Sequence, residues 1–258
     1  MIPLAGGGQQ GYDSVKNYQG CRSEVLQGLR SATANYDLFS IVLCAMMIAT
    51  RLFVCFLLLL FACGGEYVPR TGDLLFQQNA SEGMTGAIVA ATQRGEPVTF
   101  THVGIAETAA DGVFVVEAID TSVRRTPLGE FIARSAQREG RPLVAVGRLC
   151  GADSVVVNRA LRRAHERLGL PYDDDFLPAN GKFYCSELAW ECFLAADDST
   201  HLLQSRPMTF RTPDGELPTY WAEHFAALGM PVPEGVAGTN PNDMANDPAV
   251  EIVWRYYE

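Results

Sequence analysis

Apolar and polar positions change period several times along the chain, and each change predicts an element. The run Thr71-Gly72-Asp73-Leu74-Leu75-Phe76-Gln77 is short and apolar behind turn residues, which predicts a strand. From Ser81 to Thr92 apolar residues recur at helical spacing behind a cap-like serine, which predicts a helix. Val98–Glu107, Val113–Ile119 and Pro142–Leu149 predict strands, and the short Ala-Ala-Asp-Gly segment between the first two suggests an antiparallel hairpin. Helices follow over Asp153–Leu168, capped by Asp153, over about Tyr184–Ala196 and over Trp221–Leu228. A Pro/Gly/Asn-rich stretch, PVPEGVAGTNPNDMANDP, then leads into a strand-like run, Val250–Tyr257. That stretch reads equally as a lid over a cleft or as surface wrapping. The mixture predicts an α+β domain with an antiparallel sheet packed against helices.

The amino-terminal pattern differs. From Met46 or Met47, Arg51 supplies a short positive region and Leu52–Phe61 an apolar region of signal-peptide length. Such a run is shorter than the roughly 20 apolar residues a spanning helix needs. It ends Leu60-Phe61-Ala62-Cys63, which resembles the bacterial lipobox, with the bulky Phe61 as its departure. The resemblance implies lipidation of Cys63; the other reading, one uncleaved anchor over Ile41–Cys63 interrupted by Arg51, also tethers the domain to a membrane. Residues 1–45 read as sequence upstream of a misplaced start codon or as a disordered leader. The expected organisation is a signal peptide over 46–62, anchor and linker over 63–70, and a catalytic domain over 71–258.

Charge narrows the partners. The formal net charge is -10, without a basic stripe, so nucleic acid is excluded as a partner. After Cys63 the cysteines are Cys150, Cys185 and Cys192, in no CxxC or zinc spacing. Cys150 and Cys192 read equally as a disulfide pair or as free buried thiols. Asp173-Asp174-Asp175 lacks the ligand pattern of a calcium loop and reads as a turn. No pattern demands a metal or a cofactor.

The candidate chemistry lies in three segments. Alternation puts Phe100, His102 and Gly104 on one strand face, and Gly104 leaves room beside the imidazole for a substrate. Val113, Val115 and Glu117 share a face of the next strand, so a carboxylate lies one hairpin from His102, where it can orient an imidazole. Cys185 falls at a helix start, where backbone N–H groups and the helix dipole favour a thiolate and can bind an oxyanion. Each residue also has a plain reading. Cys185, Leu188, Ala189, Cys192 and Phe193 form a core stripe, His102 can be a structural histidine, and Glu117 can pair with Arg124 or Arg125. His165, His201 and His224 have no such local context and read as surface or packing residues.

Taken together, GDLLF, THVGIAE, VVEAI, LGLPYDDDF, FYCSELAWECF and GTNPNDMANDP resemble the permuted papain-like amidases of the YaeF/YiiX family, relatives of the NlpC-type cell-wall peptidases. The resemblance covers Thr71 to the carboxyl end. It implies a circularly permuted papain-like fold with the histidine strand ahead of the cysteine helix. It implies Cys185 as nucleophile, His102 as base and Glu117 as orienting residue, with Gly72-Asp73, Tyr172-Asp173, Phe176 and Tyr184 as supporting structure. The expected activity is hydrolysis of an amide, peptide or isopeptide, possibly of cell-wall peptides, in the bacterial envelope. The alternatives are an acyltransferase or lipid ester/thioester hydrolase, which an unusually apolar cleft beside Cys185 would favour, and a noncatalytic binding module.

Overall fold

A computed structural model describes residues 67–80, 82–195 and 197–258, together with Leu43, Met46 and Met47. Most of the amino-terminal segment, including Cys63, lies outside the described residues, as do Ser81 and Ala196. The chain divides into two units, residues 1–66 and Tyr67–Glu258, and the second holds every element named below. Among the described residues no helix is long and apolar enough to cross a membrane.

Six strands form one antiparallel sheet: β1 (Leu74–Gln77), β2 (His102–Ala109), β3 (Gly112–Ile119), β4 (Ser122–Pro127), β7 (Val144–Leu149) and β10 (Val250–Arg255), in the order β10-β7-β1-β2-β3-β4. Two-residue strands β5 (Gln137–Arg138), β6 (Arg141–Pro142), β8 (Arg206–Pro207) and β9 (Ala237–Gly238) pair as small ladders, β5 with β6 and β8 with β9. The helices are α1 (Gly83–Thr92), α2 (Leu128–Ala133), α3 (Ser154–Glu166), α4 (Cys185–Cys192), α5 (Thr219–Ala227) and α6 (Pro241–Ala245).

β1 is central and buried along its whole length, which is why it reads as a continuous apolar run and not as an alternation. On one face Leu74, Phe76, Val103, Ile105, Val116 and Ala118 pack against α3 and α4. On the other, Leu75, Ala106, Val115 and Val144 pack against Phe131 of α2. α3 presents Val156, Ala160 and Ala164 at intervals of one turn, and Asp153 caps it by accepting from the N–H groups of Val155 and Val156. A separate aromatic core gathers Phe176, Tyr184, Phe210, Trp221 and Phe225 between α1 and α5.

Several expectations shift. α4 stops at Cys192, short of Ala196, because Phe193 leaves helical backbone at φ -91 and ψ 83. α1 is capped at Glu82 without a side-chain hydrogen bond. β2 starts only at His102, so Phe100 lies outside the strand; its ring packs on Phe76, in the core of the opposite sheet face from Ala106. β4 and α2 were hidden in the charged segment 120–134, whose apolar residues show no clear period. Cys150 and Cys192 are both free, and Cys150 is exposed. The Pro/Gly/Asn-rich stretch contains β9 and α6, and buries Thr239, Asn242, Met244 and Asp247.

The Gly72-Asp73 pair fixes the start of β1. Gly72 adopts φ +88 and its N–H reaches Ala106 O, while an added Cβ would stand 2.6 Å from Val157 Cγ1. The buried Asp73 carboxylate accepts 2.8 and 2.9 Å bonds from Arg148 and a 2.8 Å bond from the Arg70 N–H. Asp73→Ala leaves Arg148 without its bidentate partner, and thermal denaturation is expected to show a loss of about 3 kcal/mol. A loss under about 1 kcal/mol would mean that the pair does not pin β1 to β7.

Candidate active site

The hairpin register brings two polar side chains together in an apolar sheet. β2 and β3 pair Ile105 with Val116, so the next pair inward sets Gly104 beside Glu117. Glu117 is fully buried and His102 is 5 % exposed. His102 Nε2 stands 2.6 Å from Glu117 Oε2. Gly104 matters for a reason other than the expected one. A Cβ there would collide with Val115 Cγ1 and lie 3.1 Å from Glu117 Cβ, so the space is taken by the neighbouring strand and not left for a substrate.

Glu117 does not pair with Arg124 or Arg125. Arg124 bonds Asp120 and Glu130, while Arg125 bonds Glu107 and lies over the Phe114 ring. Its second oxygen accepts a 2.5 Å bond from Arg134, just past the end of α2. Arg134 is a site residue the sequence reading missed, because nothing in its local pattern ties it to a strand seventeen residues earlier.

Cys185 is the first residue of α4 and is 6 % exposed. No side chain caps the helix from Tyr184, so its first-turn N–H groups are not covered by a capping side chain. Alternation points His102 toward Phe131, with ring centroids 5.8 Å apart, on the sheet face away from α4. As the first residue of β2, however, it also interacts electrostatically with the Cys185 thiol at the start of α4. Glu117 occupies Nε2, so Nδ1 is the ring nitrogen that is free of the carboxylate. The structure therefore brings Cys185, His102 and Glu117 together.

The electrostatics follow from this chain of contacts. Burial by itself lowers the His102 pKa, but the hydrogen bonds and charges of Cys185 and Glu117 overcome it and raise the imidazole to about 9. Burial pushes the Glu117 carboxyl up, yet the bond and charge of His102 and the charge of Arg134 bring it down to about 2. Glu187, two residues past the cysteine, is pushed up to about 8 by burial and by Asp173, which weakens its charge beside a thiolate.

The supporting residues shape a cleft beside Cys185. Asp173 accepts from the N–H groups of Asp175 and Leu177 and from Asn180, which makes the acidic triplet a turn. The turn places Tyr172 and Phe176 on the cleft wall, and Tyr184 O–H accepts from the Thr239 N–H. α1 and the β9–α6 segment supply the other walls through Ile88, Ala91, Thr239 and Pro241. His165 stands 3.2 Å from Glu107, His201 stacks on Trp190 and His224 bonds Asp174 O.

The model of the family described as "Permuted papain-like amidase enzyme, YaeF/YiiX, C92 family" matches residues 68–254. The chain belongs to this family. The permuted papain-like family accounts for the observed order, with the histidine strand ahead of the cysteine helix, and it is a family of cysteine peptidases and amidases. The chain is 32% identical over 126 residues to the uncharacterized protein YiiX of Escherichia coli strain K12. That alignment covers 48% of this chain and spans 57% of the relative's length. In fold the chain is similar to the crystal structure described as metalloprotein yiiX from Escherichia coli O157:H7, with a TM-score of 0.61 at 23% identity over 74% of this chain and 100% of that one.

The His102–Glu117 pair predicts a pH window. The raised imidazole contributes stability in full below its unfolded value of 6.5 and loses it as pH rises through about 9. The lowered carboxyl contributes in full above 4.5 and loses it as pH falls through about 2. The stability gap between wild type and Glu117→Gln, followed by thermal denaturation, is therefore expected to be widest between pH 4.5 and 6.5 and to shrink on both sides. A gap that stays constant from pH 4 to 9 would show that the pair is not ionic.

Proposed function

We propose that this chain is a cysteine amidase of the bacterial envelope, tethered through a lipid on Cys63 and acting on a peptide-like amide by a Cys185-His102-Glu117 triad. The observation that carries the reading is the desolvated His102–Glu117 pair, whose imidazole interacts electrostatically with a thiol at the start of a helix. A lone structural histidine has no need of a buried carboxylate locked by an arginine.

In the proposed reaction the proton of the Cys185 thiol resides on His102 and the sulfur attacks the carbonyl carbon. The carbonyl oxygen becomes an oxyanion bound by the Cys185 N–H at the helix start. Tyr172 supplies a second donor: burial and the neighbouring Cys185 raise its phenol well above 10, so it keeps its proton at neutral pH. His102 then protonates the departing amine as the C–N bond breaks, which leaves a thioester. Water, deprotonated by His102, attacks the thioester; the acid forms and the sulfur leaves. Glu117 holds the imidazole through Nε2 throughout, and the bond and charge of His102, with the charge of Arg134, keep it ionised.

The O157:H7 relative is described as a metalloprotein. Among the described residues of this chain no group of three or more His, Cys, Asp or Glu is placed to hold a metal ion, and both oxygens of Glu117 are engaged by His102 and Arg134. The residues do not fit a metal, and no step is routed through one.

Iodoacetamide labelling tests the triad. Cys185, mapped by mass spectrometry, is expected to react at pH 6, more than two units below the ordinary thiol range of about 8.5, and to lose at least tenfold in rate in His102→Ala. Slow labelling that ignores His102 would leave a noncatalytic module. The tether is tested separately by fractionation, where Cys63→Ala is expected to move the chain from the membrane to the soluble fraction. Retention of the variant on the membrane would reject lipidation as the anchor.

A further inference from the structure

The cleft at Cys185 is built unevenly. Next to the sulfur its wall is the inner surface of the aromatic core, with Phe176, Met208, Phe210 and Trp221 facing Ile88 and Ala91 of α1. The cavity itself measures about 140 Å³ and opens to solvent, so a longer chain lies partly in its mouth. Such a throat offers a peptide backbone few hydrogen-bond partners and offers an aliphatic chain nearly continuous contact.

Polar side chains such as Ser186, Thr209, Thr239 and Asn240 also line the cleft, and two further polar groups stand out. Trp221 is 2 % exposed, lines the cleft, and its indole Nε1–H has no hydrogen-bond partner. A buried donor left unpaired costs about 1–3 kcal/mol, so an acceptor oxygen on a ligand that displaces the side chains covering Nε1 is its natural partner. At the mouth stands Arg206, exposed, bonded to Gln204 Oε1 at 3.3 Å and in no ion pair among the described residues. Arg94, the other arginine of the cleft, is already paired with Asp243 at 2.5 Å. In a chain of net charge -10, a cation without a carboxylate partner at the entrance selects for an anion.

We propose, resting on the cysteine-hydrolase reading of Cys185, that the substrate is an anionic acyl amide whose aliphatic chain fills the Phe176–Met208–Trp221 throat, whose oxygen accepts from Trp221 Nε1–H, and whose carboxylate or phosphate meets Arg206. This assigns the throat to the chain and the mouth to the charge. Trp221 and Arg206 are specificity-determining residues, and neither moves a proton in the reaction.

Binding to the full chain carrying Cys185→Ala tests the assignment without chemistry. The probes, used below micelle formation, are N-butanoyl-, N-octanoyl- and N-dodecanoylglycine, neutral N-dodecanoylglycinamide and dodecyl phosphate, titrated by calorimetry. Kd is expected to fall by up to about fourfold for each methylene added. Trp221→Phe, which keeps an aromatic ring and removes the N–H, is expected to weaken every acylglycine about three- to tenfold without changing the dependence on chain length. Arg206→Gln, a surface change that leaves the fold intact, is expected to weaken N-dodecanoylglycine about fivefold and the glycinamide not at all. Tighter binding of dodecyl phosphate than of N-dodecanoylglycine would name a phosphate headgroup as the anion, and the reverse a carboxylate; either supports the assignment.

A Kd independent of chain length, or an Arg206→Gln effect equal on charged and neutral probes, would overturn it. The two readings fail separately. Rapid His102-dependent labelling of wild-type Cys185 with flat chain-length dependence sinks the acyl assignment alone, whereas steep chain-length dependence with inert Cys185 sinks the hydrolase reading alone.

Discussion

The site rests on one constraint: an imidazole and a carboxylate held in contact where water is excluded. A buried carboxylate is expensive unless its oxygens are engaged, and here both are, one by His102 and one by Arg134. That requirement explains features that look unrelated in the sequence. Gly104 is a glycine because Val115 and Glu117 of β3 press against it. The short helix α2 covers the sheet face where Glu117 emerges and delivers Arg134 past its last turn. His102 opens β2, where its ring bonds Glu117 on one sheet face and interacts electrostatically with Cys185 at the start of α4.

The scaffold around the pair is rigid where the chemistry needs it. β1 is buried on both faces and tied through Asp73 to Arg148 on β7, which fixes the centre of the sheet against which α4 lies. The walls of the cleft come from elsewhere. They belong to an aromatic core assembled from the 172–184 segment, α1, α5 and the carboxyl-terminal stretch, with no strand of the large sheet in it. Cys185 and His102 therefore sit on the sheet-and-helix core, while the cleft wall beside them belongs to a second core. This separation lets the wall residues vary without disturbing the Cys185, His102 and Glu117 arrangement.

Much of the site was legible because its parts carry local signals. Alternation marks β2 and β3, a two-residue turn joins them, and an ionisable residue in each apolar strand stands out. The start of α4 at Cys185 was visible from the change of period. What was not legible was anything fixed by distant pairing. β4 and α2 lie in a charged segment without clear periodicity, since their partners are β3 and the sheet face and not each other. Arg124 and Arg125 stand nearer to Glu117 in sequence than Arg134 does, yet both are turned to other carboxylates. Likewise the Pro/Gly/Asn-rich stretch reads as a loop, because the buried contacts that order Asn242 and Asp247 come from Thr92, Phe100 and Gln204.

The sequence by itself determined the fold class, the family and the candidate nucleophile, base and carboxylate, because periodicity and short motifs are properties of neighbouring residues. The tertiary structure decided which arginine completes the carboxylate, why Gly104 has no side chain, and where the cleft runs. Each of those depends on atoms brought together from segments far apart in the chain, and no local pattern records which distant segment will arrive.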